Sequence, residues 1–230
     1  MSETNATVVL VHGAWHGSWC WERVVPLLQN RGLAVRAVDL PSVGVAPGVA
    51  VDLSADAAAV EAVIREIGGP VVLCGHSYGG MVISRVVPTN VRRLVYLCAF
   101  MPAEGESIVS LGGGQHIPWM RVLEGSLTIP DMAQADATFY GDCDAQVRER
   151  AKSRLRVQSG APFKEPVLSP SWRKVPSTYV VCANDMAILA NVQRSLFAPR
   201  ATEVVELNTS HSPFYSSPET VADILATRAA

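Results

Sequence analysis

Residues 70–80 read Pro70-Val71-Val72-Leu73-Cys74-Gly75-His76-Ser77-Tyr78-Gly79-Gly80, and the mostly apolar Met81–Val87 follow. Five uncharged residues lead into Gly-x-Ser-x-Gly, and a helix-like stretch leaves it. This is the pattern of a sharp strand-to-helix turn that lifts a serine hydroxyl clear of the sheet edge. Small residues must flank such a turn because the serine backbone is strained. The helix start behind it offers N–H donors and a partial positive charge to a developing oxyanion. Ser77 is therefore the candidate nucleophile.

Working outward, short apolar runs alternate with helical patterns. Strands are expected at Ala6–Val11, Ala34–Val38, Val71–Cys74, Leu94–Ala99, Thr178–Ala183 and Thr202–Leu207. They are nearly continuously apolar, as strands buried on both faces should be. Helices are expected at Trp21–Asn30, at Ala55–Ile67 behind a Ser54 cap, and after Ser217, with Pro218 in the first turn. Alternation of this kind predicts an α/β class fold with a mostly parallel sheet and helices on both faces. The alternation fails between about Met101 and Val175, where Gly112-Gly113-Gly114 and six prolines accompany a charged helical run from Asp144 to about Val157. A structureless loop that long is uncommon in a compact domain, so this segment reads as an inserted lid of loops and short helices. The whole chain, 1–230, reads as one domain.

The remaining chemistry falls at the same sheet edge. The first strand ends in His12-Gly13-Ala14-Trp15, and the loop there supplies a second oxyanion donor in this arrangement. Counting from the motifs, the donors are the backbone N–H groups of Ala14 and Tyr78. A hydroxyl needs a base. His211, in Asn208-Thr209-Ser210-His211-Ser212-Pro213-Phe214 just past the last strand, is the best placed of five histidines. His76 adjoins the serine but is expected to point away, His12 and His16 belong to the first loop, and His116 to the lid. Asp185 follows strand Thr178–Ala183 and is the candidate acid that orients the imidazole. Asp39, Asp142 and Asp144 are rival acids, with Asp39 readable as structural and Asp144 as a helix cap. Trp15, Met81, Trp119 and Phe214 are candidate pocket walls.

Composition narrows the classes. The formal net charge is -2 and charged residues make up 17%, with no long run of one sign, which argues against a nucleic-acid or anionic-membrane surface. No apolar stretch approaches membrane-spanning length, and the N-terminus lacks a basic leader, so an intracellular, cytoplasmic protein is expected. The five cysteines include no CxxC pair and read as mostly buried free thiols. There is no HExxH and no glycine-rich phosphate loop followed by lysine, so no metal or other cofactor is expected. A homodimer is compatible with all of this.

The quoted residues carry a resemblance. His12-Gly13-Ala14-Trp15-His16-Gly17-Ser18-Trp19-Cys20-Trp21, Gly75-His76-Ser77-Tyr78-Gly79-Gly80 and Tyr179-Val180-Val181-Cys182-Ala183-Asn184-Asp185 resemble the branch of the α/β-hydrolase superfamily that holds plant methylesterases and hydroxynitrile lyases, with bacterial esterase relatives. The ending Ser210-His211-Ser212-Pro213-Phe214 fits the wider superfamily, and Phe139-Tyr140-Gly141-Asp142-Cys143-Asp144 resembles bacterial relatives in a patch of the lid. The resemblance implies the α/β-hydrolase fold, a Ser77–His211–Asp185 triad and no cofactor, and it leaves the reaction open because the branch includes both hydrolases and lyases. The lyases of the branch resemble one another in a threonine after the first histidine and a lysine after the catalytic one. Here Gly13 and Ser212 stand at those places, which favours hydrolysis of a small, largely apolar carboxylic ester. The alternatives are a lactonase or a hydroxynitrile-type carbon–carbon lyase on the same site, or a non-catalytic small-molecule receptor.

Overall fold

The computed structural model describes residues 6–113, 120–123 and 127–230. In chain order the elements are β1 (Thr7–Val11), α1 (Val24–Asn30), β2 (Val35–Val38), α2 (Leu53–Ile67), β3 (Val71–His76), α3 (Gly79–Arg85) and β4 (Val91–Leu97). The inserted stretch follows with α4 (Ile108–Leu111), β5 (Met120–Val122), β6 (Leu127–Pro130), α5 (Ala135–Phe139), α6 (Ala145–Lys152) and β7 (Gln158–Ser159). The chain ends with β8 (Ser177–Cys182), α7 (Ala190–Val192), β9 (Glu203–Leu207), α8 (Pro213–Ser216) and α9 (Pro218–Ala229).

The main sheet has the order β2-β1-β3-β4-β8-β9, and every neighbouring pair is parallel. The reason lies in the apolar runs. β3 and β8 are buried at every position, because helices cover both faces of a parallel sheet. The chain runs from β1 outward to β2, then crosses back to place β3 on the other side of β1. Ligands in open α/β sheets bind where the strand order reverses in this way, outside the carboxyl ends of the strands. The register Val11↔Gly75 brings the end of β1 and the end of β3 side by side at that point.

Local signals explain the helices. In α2 the buried residues Leu53, Ala57, Val60 and Ile64 recur at helical spacing, and Gly68 closes the helix at φ 63°. Its cap is Asp52, whose side chain accepts from the Ala55 N–H at 2.8 Å, rather than Ser54. Ser54 sits two residues further on and donates to Glu165. The expected helix at Trp21–Asn30 divides into a short 3-10 turn, Ser18–Trp21, and α1. The inserted stretch contains a small antiparallel sheet, β5-β6-β7, beside its helices, where loops and short helices alone were expected. Its strands are two to four residues long, too short to leave a period-2 pattern. No helix among the described residues is long and apolar enough to cross a membrane.

Candidate active site

Ser77 sits one residue past β3 with φ 52°, a left-handed conformation that costs a non-glycine residue energy and is found at strained functional turns. The surroundings hold it there. The Ser77 N–H donates to the Leu97 carbonyl (3.3 Å), and the Ser77 carbonyl accepts from Gly80 (3.0 Å) and Phe100 (3.1 Å). The turn also needs Gly79, because a Cβ there would lie 2.7 Å from the Val11 carbonyl oxygen and 2.8 Å from that of His12.

Asp185 and His211 meet from separate loops. His211 Nδ1 lies 2.7 Å from Asp185 Oδ2, and both residues are almost wholly buried. Asp185 accepts three further hydrogen bonds, from the N–H groups of Ala187 (2.7 Å) and Ile188 (2.9 Å) and from Gln193 Nε2 (2.8 Å). A carboxylate facing only donors is an ionised acceptor, so the imidazole must present its Nδ1–H to it and keep a lone pair on Nε2. Gln193 is itself fixed, with Oε1 accepting from the Cys182 N–H at 3.1 Å. Ser77 and His211 line one pocket, and no hydrogen bond joins them among the described residues. Contacts of this kind are commonly long before a substrate tightens them.

Two donors stand beside the serine. The backbone N–H groups of Ala14 and Tyr78 belong to buried residues, yet neither donates to a protein acceptor among the described residues. Buried N–H groups are nearly always paired, so two unspent ones on residues that line one pocket are exceptional.

His76 does not simply point away. Its ring lies 4.7 Å from that of His211, and Nε2 donates to the His211 carbonyl at 2.8 Å. The Cys98 thiol reaches the same carbonyl at 3.5 Å. His12 and His16 donate through Nδ1 to the Gly13 and Ala14 carbonyls of the first loop, and their Nε2 atoms accept from the Leu40 N–H and the Tyr140 hydroxyl. Burial lowers His12 to about 4 and His16 to about 3, and holds His76 well below the ordinary histidine range. These three rings are therefore neutral near pH 7. His76, Cys98 and His211 have ligand-type atoms within 4.8 Å of one another. Burial raises the Cys98 thiol strongly, which disfavours the thiolate that a metal ion would need, while His76 Nδ1 has no hydrogen-bond partner. All five cysteines are buried and unbridged, and burial pushes Cys143 up to about 12, which leaves it a poor nucleophile.

The pocket above Ser77 is tight, with a cavity volume of about 10 Å³. Trp15, Tyr78, Phe100, Ile108, Phe139 and Phe163 give it apolar walls, and no Asp, Glu, Lys or Arg lines it among the described residues. Of the expected walls, Trp15 is in place. Met81 and Phe214 are fully buried in the core instead, where Phe214 packs on His76 and Trp21, and Trp119 lies outside the described residues. Asp39 accepts from the Ser18 N–H and hydroxyl, and Asp142 accepts from the Ser210 N–H (2.8 Å) and hydroxyl. Both brace loops and neither reaches His211. Asp144 occupies the cap position of α6 without a side-chain bond to it.

A family model described as the Alpha/beta hydrolase family matches residues 8–224. The chain belongs to the alpha/beta hydrolase family. The hydrolases it resembles include the pyrethroid hydrolase of Sphingobium wenxiniae, 32% identical over 97% of this chain and 87% of the relative. A carbendazim hydrolyzing esterase of Nocardioides is 39% identical over 46% of this chain and 47% of that protein. Among solved structures, a pyrethroid hydrolase from Sphingobium faniae superposes with a TM-score of 0.86 at 29% identity, covering 98% of each chain. This alpha/beta hydrolase is thus related to carboxylic ester hydrolases. Three of its site features escaped the sequence. Gln193 was missed because only a π-helical turn, Gln193–Phe197, swings it under Asp185, and the backbone roles of His76 and Asp142 leave no spacing signal.

Proposed function

We propose that this chain hydrolyses small, uncharged, largely apolar carboxylic esters by acyl transfer to Ser77. The observation that carries the reading is the pair of unspent N–H groups of Ala14 and Tyr78 beside a strained serine. Ser77 Oγ attacks the ester carbonyl while His211 Nε2 takes its proton, and Asp185 stabilises the imidazolium. The carbonyl oxygen becomes an oxyanion held by the two N–H groups. Collapse breaks the ester C–O bond, and the imidazolium returns its proton to the leaving alkoxide. Water, deprotonated by His211, then attacks the acyl-Ser77 ester, releasing the carboxylic acid and restoring the serine hydroxyl.

The pocket supports the substrate class. Apolar walls without a lining charge favour a neutral acyl group over one carrying a free carboxylate. They also count against cyanohydrin cleavage, which needs a cation for departing cyanide. Ser212 carries no charge, and Arg121 and Lys164 are exposed and off the pocket. A side chain at position 13 would crowd the site, since a Cβ there lies 2.7 Å from His76 Nδ1 and 3.0 Å from Ser77 Cβ.

The test is a panel of p-nitrophenyl acetate, an aryl methyl ester, a lactone and mandelonitrile, the last corrected for its spontaneous reaction. Ester turnover exceeding both the lactone and mandelonitrile is expected. Mandelonitrile cleavage above every ester, or no turnover of any, overturns the reading.

A further inference from the structure

Asp56 is a fully buried carboxylate that the acyl-transfer scheme does not use. It lies in the first turns of α2 and joins no ion pair among the described residues. A buried charge is costly unless hydrogen bonds replace its water. Here three donors do so: the Ser42 N–H at 2.9 Å, the Ser42 hydroxyl at 2.6 Å and the Tyr78 hydroxyl at 2.5 Å.

Two arms lead from this carboxylate to the two oxyanion donors. One is the Tyr78 side chain, whose own backbone N–H is the first donor. The other runs through Ser42. Its Oγ accepts from Gln158 Nε2 (2.9 Å), and Gln158 Oε1 accepts from the Trp15 N–H (3.1 Å). That N–H belongs to the peptide directly after Ala14. The carbonyl of the same peptide accepts from His16 Nδ1 (2.8 Å), and the Tyr140 hydroxyl donates to His16 Nε2 (2.8 Å). Trp15 has φ 63°, so this loop is strained and needs restraint from outside. From Tyr78 and from Trp15, every donor along the two arms points toward Asp56. An acceptor-only carboxylate at the junction fixes that polarity, and a group carrying N–H donors there cannot.

We propose that Asp56 is a positioning residue of the oxyanion hole, holding the Ala14 and Tyr78 N–H groups at their working separation. The proposal rests on the ester-hydrolysis reading above. Asp56 touches no substrate, so its loss weakens the transition state more than the ground state.

The experiment compares wild type with Asp56→Asn and Tyr78→Phe. It measures kcat and KM on p-nitrophenyl acetate, and binding of an aryl trifluoromethyl ketone beside its unfluorinated methyl ketone. The fluorinated ketone forms a serine adduct whose oxyanion needs both donors; the methyl ketone reports ground-state binding. Asp56→Asn is expected to lower kcat about 10- to 100-fold, and the fluorinated ketone's affinity in parallel. KM and methyl ketone affinity stay within about threefold. Tyr78→Phe keeps the backbone donor and breaks one arm, so it shows the same signature at smaller size, and it decides the matter if Asp56→Asn does not fold. Folded variants with wild-type kcat and fluorinated-ketone affinity, or with equal losses in both ketones, overturn the proposal while leaving the hydrolase reading intact. A wild type that turns over no ester overturns both.

Discussion

The pocket has two makers. The loops after β1, β3 and β9 bring Ala14, Ser77, Tyr78 and His211, while the insertion between β4 and β8 brings Ile108, Phe139 and Phe163. The polar atoms belong to the sheet edge, and the insertion supplies apolar surface. Yet the insertion also sends Tyr140 to His16, Asp142 to Ser210 and Gln158 to Trp15, each beside a residue of the site. On the proposed reading the chemistry sits at the strand ends, and the inserted segment shapes and braces it. Substitutions at the edge should therefore silence turnover of every ester, and substitutions in the insertion should redistribute turnover among esters.

The largest effect tests the edge at its centre. Ser77→Ala should lower kcat by about 10⁶, the loss known for removing such a nucleophile, with little change in Tm because only a hydroxyl is lost. Turnover retaining more than about a hundredth of the wild-type rate breaks the comparison. Next, Asp185→Asn should cost about 10⁴ in kcat through the wrong tautomer of His211, the magnitude known for that change in a serine protease. Asp39→Asn, which disturbs only the Ser18 contacts, should stay within about tenfold of wild type. The reverse ranking would move the acid from β8 to β2.

The edge also concentrates buried neutral histidines. In the folded protein burial holds His12 at about 4 and His16 at about 3, with His76 well below its ordinary value. An unfolded chain protonates them below about 6.5. The unfolded state then binds more protons, so stability is full above about pH 6.5 and falls as pH drops toward 4. The loss approaches about 1.4 kcal/mol per pH unit for each histidine. Asp56, raised by burial, opposes this in part. Urea unfolding at pH 7, 6 and 5 checks the sign, and equal stability at all three contradicts the neutral rings.

The smallest effect belongs to the insertion. Ile108→Ala should raise kcat/KM for a branched acyl ester relative to an acetate about tenfold, the scale for one or two methylene groups in a pocket. A uniform loss across both esters would make Ile108 part of the chemistry rather than of the shape.

The same division governs what the sequence disclosed. Ser77, Asp185 and His211 were legible because each follows an apolar strand run, and strand ends in a parallel sheet share one edge. Met81 and Phe214 were misplaced because an apolar residue beside a motif carries no mark of which way it faces. Ser54 was taken for a cap because serine and aspartate are both good caps and Asp52 stands only two residues before it, so that only geometry separates them. Nothing in the sequence sets Asp56 apart from the other polar residues of α2. Its partners Ser42 and Tyr78 stand 14 and 22 residues away, and Gln158, which bonds Ser42, lies 116 residues from that serine, separations that no local pattern encodes.

The central claim is that Ser77 carries the acyl group. The most direct measurement is labelling with a p-nitrophenyl alkylphosphonate, followed by peptide mass spectrometry and residual esterase assay. The account predicts one phosphonyl group per chain, on the peptide containing Ser77, with activity lost in proportion and no label in Ser77→Ala. Label on another residue, or full esterase activity after stoichiometric labelling of Ser77, would contradict it.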